Sequence, residues 1–259
     1  MDLGIAGRKA IVCASSRGLG RACAQALAAA GCEVVINGRD AKVLDATVSG
    51  LRQVAGTRVT GIAADIATPE GQDALFAACP EPDILINNNA GPPPRDFREL
   101  TREQMLEGLT ANMVIAIELV QKAIGPMIAK RFGRIVNITS GTVKLPQAGL
   151  DLSSAARGGL TIFLSGVARS VAQHNVTINN LLPGAFETDR LKAVLGAAAK
   201  RKGVDYEQAR FERIESIPAK RLGDLAGFGA TCAFLCSVHT GFITGQNILI
   251  DGGAYPGAL

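Results

Sequence analysis

The sequence is short of the side chains that most often move protons in enzymes. Its 259 residues include no tryptophan, two tyrosines and two histidines. Histidine and tyrosine are common general acids and bases, so any catalytic hypothesis for this chain must name its own proton donor. The positions of the two tyrosines, Tyr206 and Tyr255, therefore matter as soon as motifs fix a register.

Long apolar runs, blocks of one charge and closely paired cysteines are also missing. No stretch approaches the roughly 18 uninterrupted apolar residues of a membrane helix. The net charge of +4 comes from interspersed lysines and arginines, so neither a membrane nor a nucleic acid is predicted as a partner. The six cysteines include no C-x-x-C pair, and no signal peptide precedes them. Reduced, buried thiols in a cytoplasmic protein are the favoured interpretation, and no metal site is predicted.

What is present is an alternation of short β-branched runs with longer Ala- and Leu-rich segments. This pattern is typical of β-α-β units that build a parallel sheet covered by helices on both faces. With 47% hydrophobic residues, the chain predicts a single α/β domain spanning 1–259. Seven strands are predicted, at 9–14, 33–37, 58–63, 83–87, 133–138, 177–182 and 247–251.

One segment, 186–218, breaks this alternation with a long run of charged and small residues. An excursion of this length in a compact fold is usually an active-site cover or a mobile loop, and we interpret it as a substrate cover. It mixes apolar residues such as Leu195 with cations such as Arg190 and Lys192. The cations would suit an acidic or carrier-linked substrate, although a solvated helix face explains them more simply.

A glycine-containing turn follows the first strand. Residues 13–20 read CASSRGLG and open an Ala-rich helix. Two glycines at a strand-to-helix turn let the backbone approach a pyrophosphate, whose charge the helix N-terminus favours. A tight turn that binds nothing has the same spacing, so the turn alone does not decide.

Further motifs follow in order along the chain. They are Asp65 after the third strand, Asn88-Asn89-Ala90-Gly91 after the fourth, Asn112 in the next helix, Asn137-Ile138-Thr139-Ser140 at the fifth strand, Pro183-Gly184 with Thr188 after the sixth, and Thr244-Gly245-Gln246 before Asp251-Gly252-Gly253. With the turn Ala14-x-x-x-Gly18-x-Gly20, they make the chain resemble the short-chain dehydrogenase/reductase family over nearly its whole length. Within that family it looks most like the 3-oxoacyl-carrier-protein reductases. The resemblance implies a Rossmann doubly wound, seven-stranded parallel sheet, with a nicotinamide dinucleotide across the carboxyl ends of the strands.

The resemblance also implies which residues would contact that dinucleotide. The residues are Ser15, Ser16, Arg17, Gly18, Leu19 and Gly20 at the phosphates, Asp65 and Ile66 at the adenine, Asn89, Ala90 and Gly91 at the adenosine ribose and the sheet, and Pro183, Gly184 and Thr188 at the nicotinamide end. The turn departs from the family at its first glycine, which is Ala14 here. Alanine is tolerable at that position if its φ is negative, and we expect a negative φ.

The end of the second strand bears on the choice of dinucleotide. By the resemblance, Gly38 stands where an NAD enzyme would carry a carboxylate for the ribose 2′-hydroxyl. Arg17 and Arg39 could instead pair with a 2′-phosphate, although both could be ordinary surface arginines and Asp40 lies nearby. NADP is therefore favoured over NAD.

The catalytic positions depart from the family's pattern. By the resemblance, a serine polarises the substrate carbonyl, a tyrosine thirteen residues later is the general acid/base, and a lysine lies four residues further on. Counting from Ser140 places Ser153 at the tyrosine and Arg157 at the lysine, without insertion or deletion, while the family's asparagine is kept as Asn112. Serine is a far weaker acid than tyrosine, and arginine stays protonated. The chain resembles a subset of the family with this Ser and Arg, in which a lysine and a proline follow the first serine, as Lys144 and Pro146 do here.

Lys144 is the first candidate for the missing proton donor, because a partly desolvated lysine gives up its proton more readily. A solvated loop cation is the simpler interpretation of Lys144. Asp151 could orient Lys144 or Arg157, and Tyr206 could approach when the cover closes, whereas Tyr255 has a weaker claim.

The leading hypothesis is an NADP(H)-dependent oxidoreductase that reduces a small-molecule carbonyl or acyl substrate, with Ser140, Lys144, Ser153, Arg157 and Asn112 at its centre. The alternative is an NADP(H)-binding protein without redox turnover, acting as a sensor or a non-catalytic subunit. A different reaction on the same fold, such as isomerisation, is a third possibility. By resemblance, a homotetramer would form through the long helices predicted at 101–130 and 152–174.

Overall fold

In the computed structural model of the chain, the sheet has seven strands, all parallel. The structure describes residues 1–257, apart from the side chain of residue 54. The strand order is β3-β2-β1-β4-β5-β6-β7. The strands are β1 (Lys9–Val12), β2 (Glu33–Gly38), β3 (Val59–Ala63), β4 (Ile84–Asn87), β5 (Gly133–Ile138), β6 (Val176–Pro183) and β7 (Asn247–Ile250). All seven predicted strands are confirmed to within two residues. The order reverses between β1 and β4, so the sheet is doubly wound and this is its switch point.

Helices cover both faces of the sheet. They are α1 (Gly18–Ala29), α2 (Ala41–Ala55), α3 (Pro69–Ala78), α4 (Arg102–Leu109), α5 (Ile115–Lys130), α6 (Asp151–Val171), α7 (Asp189–Lys202), α8 (Tyr206–Glu215) and α9 (Leu225–Leu235). Successive strand residues point to opposite faces. Val12 and Ile36 accordingly pack in the core under α1, α2 and α9, whereas Ile11 and Val35 pack in the core under α3, α5 and α6.

The long helix predicted at 101–130 is interrupted by a π-turn, Thr110–Val114, between α4 and α5. It begins with a capping box: the Gln104 N–H donates to Thr101 Oγ1 at 3.3 Å, and the Thr101 N–H donates to Gln104 Oε1 at 3.2 Å. By length and composition alone the stretch Arg102–Lys130 would be able to cross a membrane. A core helix meets the same criterion, and in this chain Leu119 and Met127 are buried in the core.

The segment 186–218 consists largely of two helices, α7 and α8, so a mobile loop is the wrong description of it. Both helices begin at side-chain caps: Thr188 Oγ1 accepts from the Leu191 N–H at 3.2 Å, and Asp205 Oδ1 accepts from the Gln208 N–H at 2.7 Å. Their exposed, charged side chains hide the helical period in the sequence. The N-terminus of α7 lies against the glycine turn, where Arg17 pairs with Asp189 at 3.6 Å.

An asparagine ladder crosses four strands of the sheet. The Nδ2 of Asn87 donates to Asn137 Oδ1 at 2.9 Å, that of Asn137 to Asn180 Oδ1 at 2.9 Å, and that of Asn180 to Asn247 Oδ1 at 2.8 Å. These residues stand opposite one another in the strand register. Each amide satisfies the next, so the ladder ties together the strand ends that lead into the site described below.

Candidate active site

The glycine turn between β1 and α1 is shaped by Ser15 and Asn37. The Ser15 hydroxyl donates to the Val12 carbonyl at 2.6 Å, its N–H donates to the Asn37 carbonyl at 2.7 Å, and its Oγ accepts from the Asn37 N–H at 3.0 Å. Both donors of Ser15 are therefore used within the protein. The N–H groups that open α1, at Gly18, Leu19 and Gly20, have no side-chain cap in the described part of the chain. Uncapped N–H groups at a helix N-terminus suit an anion such as a pyrophosphate.

Ala14 and Gly20 face each other across this turn. Ala14 has a φ of +43°, so the prediction of a negative φ is wrong. The chain leaves β1 in the left-handed conformation, which the family's glycine would adopt without steric cost. A Cβ on Gly20 would lie 2.6 Å from the Ala14 carbonyl oxygen and 2.8 Å from Asn88 Nδ2, so a side chain at this position would collide. Asn88 Nδ2 donates to the same carbonyl at 3.1 Å and joins the turn to the end of β4.

The end of β2 offers space and charge at the position predicted for a 2′-phosphate. A Cβ on Gly38 would lie 2.8 Å from Ser16 Oγ, so a carboxylate-bearing side chain at this position would displace Ser16. The Asp40 carboxylate accepts from the Val43 N–H at 3.2 Å and caps α2, and it does not pair with Arg39. Arg39 is exposed, and within residues 1–257 no carboxylate pairs with it.

The residues predicted at the adenine and the adenosine ribose are held mostly by local contacts. Asp65 is exposed, and its carboxylate accepts from the Ala67 N–H at 3.0 Å, whereas Ile66 packs in the core. Asn89 Nδ2 donates to the Ala111 carbonyl at 3.0 Å, so this side chain ties the loop after β4 to the π-turn.

The predicted nicotinamide end lies between β5, β6 and α7. The Gly184 N–H donates to the Ile250 carbonyl at 2.8 Å. A Cβ on Gly141 would lie 3.3 Å from the Pro183 carbonyl oxygen, which places the Ser140 turn beside the end of β6. A Cβ on Gly18 would lie 3.5 Å from the methyl group of Thr188, so the start of α7 closes over the glycine turn.

Ser140 is arranged as a hydrogen-bond donor. Its Oγ accepts from the Thr142 N–H at 3.1 Å and from the Thr142 hydroxyl at 2.9 Å. A serine hydroxyl has two acceptor positions and one proton. Because both acceptor positions are used, the Ser140 proton remains to be donated, as polarisation of a carbonyl oxygen requires.

Arg157 is buried and bridges two strand ends. Its Nη1 donates to the Ile138 carbonyl at 2.8 Å, its Nη2 to the Asn89 carbonyl at 3.2 Å, and its Nε to Ser153 Oγ at 3.3 Å. Burial, together with the nearby charge of Arg190, lowers the pKa of Arg157 to about 10. Three of the five guanidinium N–H groups are used inside the protein, so two remain for the predicted contact with the ribose.

Asn112 and Gly91 border a small gap, about the size of a methyl group, at the centre of the site. Asn112 lies on the π-turn, and its Nδ2 donates to the Ala90 carbonyl at 2.9 Å, while its buried Oδ1 has no partner in the described structure. A Cβ on Gly91 would lie 3.4 Å from Ser153 Oγ, 3.5 Å from Arg190 Nη2 and 3.6 Å from Asn112 Oδ1. We call this space the Gly91 recess, and its four residues are Gly91, Asn112, Ser153 and Arg190.

Two pockets adjoin the recess. One, of about 320 Å³, includes Asn88, Asn89, Asn112 and Arg157 in its lining, together with apolar residues of α5 and α6. The other, of about 210 Å³, is lined by apolar residues and by Ser153 and Arg95. Asn112 and Arg157 thus line the first pocket, and Ser153 lines the second.

The candidate proton donors, and the carboxylate expected to orient them, have different contacts in the structure. The Lys144 ammonium lies 5.6 Å from the centroid of the Tyr255 ring, within the range of a cation–π contact. The Asp151 carboxylate accepts from the Gly149 N–H at 3.0 Å, so it stabilises the turn before α6 and orients neither Lys144 nor Arg157. Tyr206 is the first residue of α8.

Sequence reasoning assigned no role of their own to Asn37 or to Asn88 of the Asn88–Gly91 motif, and it did not predict the contacts of Arg190 with the Gly91 and Pro92 carbonyls. A signal for the asparagines exists, because asparagine is depleted in strands and here recurs at strand ends. Arg190 carries no such signal, since its contacts with the Gly91 loop span nearly a hundred sequence positions.

Comparison with known proteins agrees with this geometry. The family described as enoyl-(acyl carrier protein) reductase matches residues 13–255. The NADPH-dependent reductase BacG of Bacillus subtilis (strain 168) is 31% identical over 252 residues, which cover 95% of this chain and 97% of BacG. The 3-oxoacyl-[acyl-carrier-protein] reductase FabG of Vibrio cholerae is 28% identical over 257 residues, covering 98% and 99%. The crystal structure of YwfH, an NADPH-dependent reductase involved in bacilysin biosynthesis, superposes with a TM-score of 0.92 at 30% identity, over 97% of this chain and all of YwfH.

Proposed function

The chain belongs to the short-chain dehydrogenase/reductase family, and from that premise we propose that it is an NADPH-dependent oxidoreductase that reduces the carbonyl group of a small-molecule or acyl-linked substrate. The observation that carries the proposal is the hydrogen bonding of Ser140, which leaves its proton to be donated to an oxygen. The names of the relatives support NADPH as the cofactor.

The residues present fit a nicotinamide dinucleotide phosphate. The uncapped N-terminus of α1 suits the pyrophosphate, and the lack of a side chain at Gly20 lets this turn pack closely against Ala14 and Asn88. The Arg39 guanidinium suits the 2′-phosphate, whose negative charge it would pair with. The two remaining N–H groups of Arg157 and the unpartnered Oδ1 of Asn112 suit the ribose hydroxyls at the nicotinamide end. Bound NADPH would supply the hydride.

The protein's own residues then polarise the carbonyl, supply the proton and exclude water. Ser140 donates its hydrogen bond to the carbonyl oxygen and stabilises the negative charge that develops there. Lys144 supplies the proton to that oxygen, because neither Ser153 nor Arg157 is a suitable acid. Helices α7 and α8 cover the site and limit the entry of water.

The test is consumption of NADPH by the purified protein with a panel of ketones and 3-oxoacyl thioesters. Ser140→Ala is expected to lower kcat by about 100- to 1000-fold, the usual loss for an oxyanion donor. Lys144→Met is expected to lower it by about 100-fold or more, as for a general acid. Lys122→Met, an exposed lysine on α5, is the matched control and keeps the wild-type rate.

Two results would contradict this proposal. Rates that are indifferent to both Ser140→Ala and Lys144→Met would remove the mechanism. Tight NADPH binding with no reduction of any carbonyl in the panel would instead support a binding protein without turnover.

The assignment of Arg39 to the 2′-phosphate has its own test. Arg39→Asp is expected to weaken NADPH binding and to leave NADH binding similar, so the affinity ratio falls by about tenfold or more. Arg58→Asp, at the opposite end of the sheet, is the matched control. An unchanged ratio in Arg39→Asp would make the assignment wrong.

We also propose that the protein is a homotetramer. Large apolar side chains are exposed on the helices expected to pair, with Leu106 at 53%, Ile162 at 77% and Phe163 at 46% exposure. Association of copies would cover this apolar surface. Light scattering measures the mass directly, and Ile162→Glu is expected to reduce it.

A further inference from the structure

Tyr255, near the C-terminus, presents its aromatic ring to Lys144. The Lys144 ammonium lies over this ring, 5.6 Å from its centroid, and both residues are half-buried. A cation at this distance from the face of an aromatic ring is attracted by the charge distribution of the ring. A Cβ on Gly257 would lie 2.5 Å from Tyr255 Oη, so the hydroxyl lies beside the following backbone, and the ring is what meets Lys144.

The backbone of Lys144 is fixed relative to Ser140, because one turn carries both residues. The Val143 N–H donates to the Ser140 carbonyl at 3.1 Å, and the Lys144 N–H donates to the Gly141 carbonyl at 3.0 Å. The lysine side chain, by contrast, has a flexible four-carbon stem that samples many rotamers. Between residues 1 and 257 no carboxylate pairs with its ammonium. The Tyr255 ring is therefore the contact that restrains the charged end.

Tyr255 is itself held by the turn that follows β7, residues 251–255, which we call the Asp251 turn. The Asp251 carboxylate accepts from the Gly253 N–H at 2.9 Å and from the Tyr255 N–H at 2.7 Å. Gly252 and Gly253 have φ values of +68° and +84°, in the left-handed region that favours glycine. The Gly252 carbonyl also accepts from the Ala219 N–H at 3.0 Å. The backbone that presents the ring is thus fixed as firmly as the turn that carries Lys144.

Both turns pack at the predicted nicotinamide end of the site. A Cβ on Gly184 would lie 2.7 Å from the Cβ of Asp251, so the end of β6 touches the Asp251 turn. A Cβ on Gly141 would lie 3.3 Å from the Pro183 carbonyl oxygen and 3.6 Å from Leu249 Cδ1, so the Ser140 turn packs against β6 and β7. The ring consequently meets Lys144 where the reduction would take place.

We infer that Tyr255 is a positioning residue, whose ring holds the Lys144 ammonium at the Ser140 turn for delivery of a proton to the substrate oxygen. This inference rests on the proposed function, because it names the residue that directs the proton donor of the same site. Lys144 gives its proton to the oxygen as the carbonyl is reduced, and the neutral amine takes a proton back from solvent. The ring of Tyr255 gains and loses no proton.

The kinetic test removes the ring and then restores it without the hydroxyl. Tyr255→Leu is expected to lower kcat by about 5- to 30-fold, the factor that corresponds to loss of a partly desolvated cation–π contact. KM should change little, because Tyr255 positions Lys144 and not the substrate. Tyr255→Phe keeps a ring and should recover most of the lost rate. Phe242→Leu, at a fully exposed aromatic residue before β7, is the matched control and should keep the wild-type rate.

Dependence on Lys144 separates positioning from a merely structural role. In a Lys144→Met background, Tyr255→Leu should lower kcat no further, since the ring then has no ammonium to hold. A further loss as large as in the wild-type background would overturn the inference. So would a Tyr255→Phe variant as slow as Tyr255→Leu, which would assign the effect to the hydroxyl, or a Tyr255→Leu variant that loses NADPH affinity.

The contact can also be measured without turnover, by NMR of the protein with isotope-labelled methyl groups on its lysines, a modification that keeps their charge. The Lys144 signal is identified by its absence in Lys144→Met. It is expected to be shifted upfield by the ring, and to lose this shift in Tyr255→Leu but not in Tyr255→Phe. An unshifted signal would overturn the inference.

The outcomes distinguish this inference from the proposed function. A slow Lys144→Met variant beside a Tyr255→Leu variant with the wild-type rate would overturn the inference and keep the proposed function. Wild-type rates in both variants would remove Lys144 as the proton donor, and the role of Tyr255 with it.

Discussion

By the resemblance, Arg157 stands at the family's lysine position, yet we predict that replacing Arg157 by lysine destabilises the protein. The guanidinium reaches the Ile138 and Asn89 carbonyls and Ser153 Oγ at once, at 2.8, 3.2 and 3.3 Å. A lysine ammonium is a point donor on a flexible stem and cannot span the two strand ends. It can keep the contact with Ile138 and loses the other two.

The size of the effect follows from these contacts. The two lost hydrogen bonds are long, so each is given about 1 kcal/mol, the usual net contribution of an uncharged hydrogen bond, or about 2 kcal/mol together. Burial and the charge of Arg190 hold the pKa of Arg157 at about 10, against an ordinary 12.5. At ~1.4 kcal/mol per pKa unit, the charged form of Arg157 is therefore destabilised in the folded protein by about 3 kcal/mol. An ammonium is hydrated more strongly than a guanidinium, so its burial costs more. Arg157→Lys should therefore lower the free energy of unfolding by about 2–4 kcal/mol.

Urea unfolding of the wild type and of Arg157→Lys measures this loss. The control is Arg169→Lys, at an exposed position on the same helix. Its free energy of unfolding is expected to lie within about 0.5 kcal/mol of that of the wild type. The deficit should shrink as the pH rises towards ~10.4, the ordinary pKa of lysine. The sign follows because burial depresses the pKa of a lysine in the folded state, so the unfolded state binds more protons and folding gains stability with rising pH. A deficit no larger than that of Arg169→Lys would refute the bridging role of Arg157.

Three further predictions rest on single features. Ala14→Gly should raise the free energy of unfolding by about 0.5–1 kcal/mol, since it relieves a left-handed alanine at some cost in chain entropy, and urea unfolding checks it. Burial raises the pKa of Cys13 from 9.0 to about 12, so the unfolded state loses the thiol proton at a lower pH than the folded state does. Raising the pH from 8 to 10 should therefore lower the free energy of unfolding by ~1.4 kcal/mol. Cys13→Ala should not show this loss. Ser153→Tyr with Arg157→Lys should raise the rate of NADPH consumption above that of the wild type only when Arg190→Ala also removes the guanidinium that borders the Gly91 recess.

The sheet could be predicted from the sequence because buried parallel strands are continuous apolar runs. Strands such as Gly133–Ile138, apolar on both faces, stand between segments with helical composition and leave few other topologies. The motif residues likewise follow strand ends, and the carboxyl ends of parallel strands meet at one edge. The general position of the site is therefore a property of local sequence.

The details of the site depend instead on contacts between distant segments. The positive φ of Ala14 goes with two long-range hydrogen bonds that no local propensity reports: the Ala14 N–H donates to Asn37 Oδ1 on β2, and the Ala14 carbonyl accepts from Asn88 Nδ2 just after β4. The π-turn that presents Asn112 is held by contacts with the loop after β4. Arg190 is predicted only as one of many cations on the cover, because its contacts with the Gly91 and Pro92 carbonyls depend on where α7 begins.

By the resemblance, the site carries Arg157 where the family has a lysine and Ser153 where the family has a tyrosine. Arg157 keeps its proton over the working pH range, so it can stabilise anionic oxygens but cannot pass a proton to them. Under the proposed function the proton therefore comes from Lys144, on the loop that also carries Ser140. The exchange of tyrosine for serine thus removes one acid, and the acid that takes over its role lies on the loop that polarises the carbonyl.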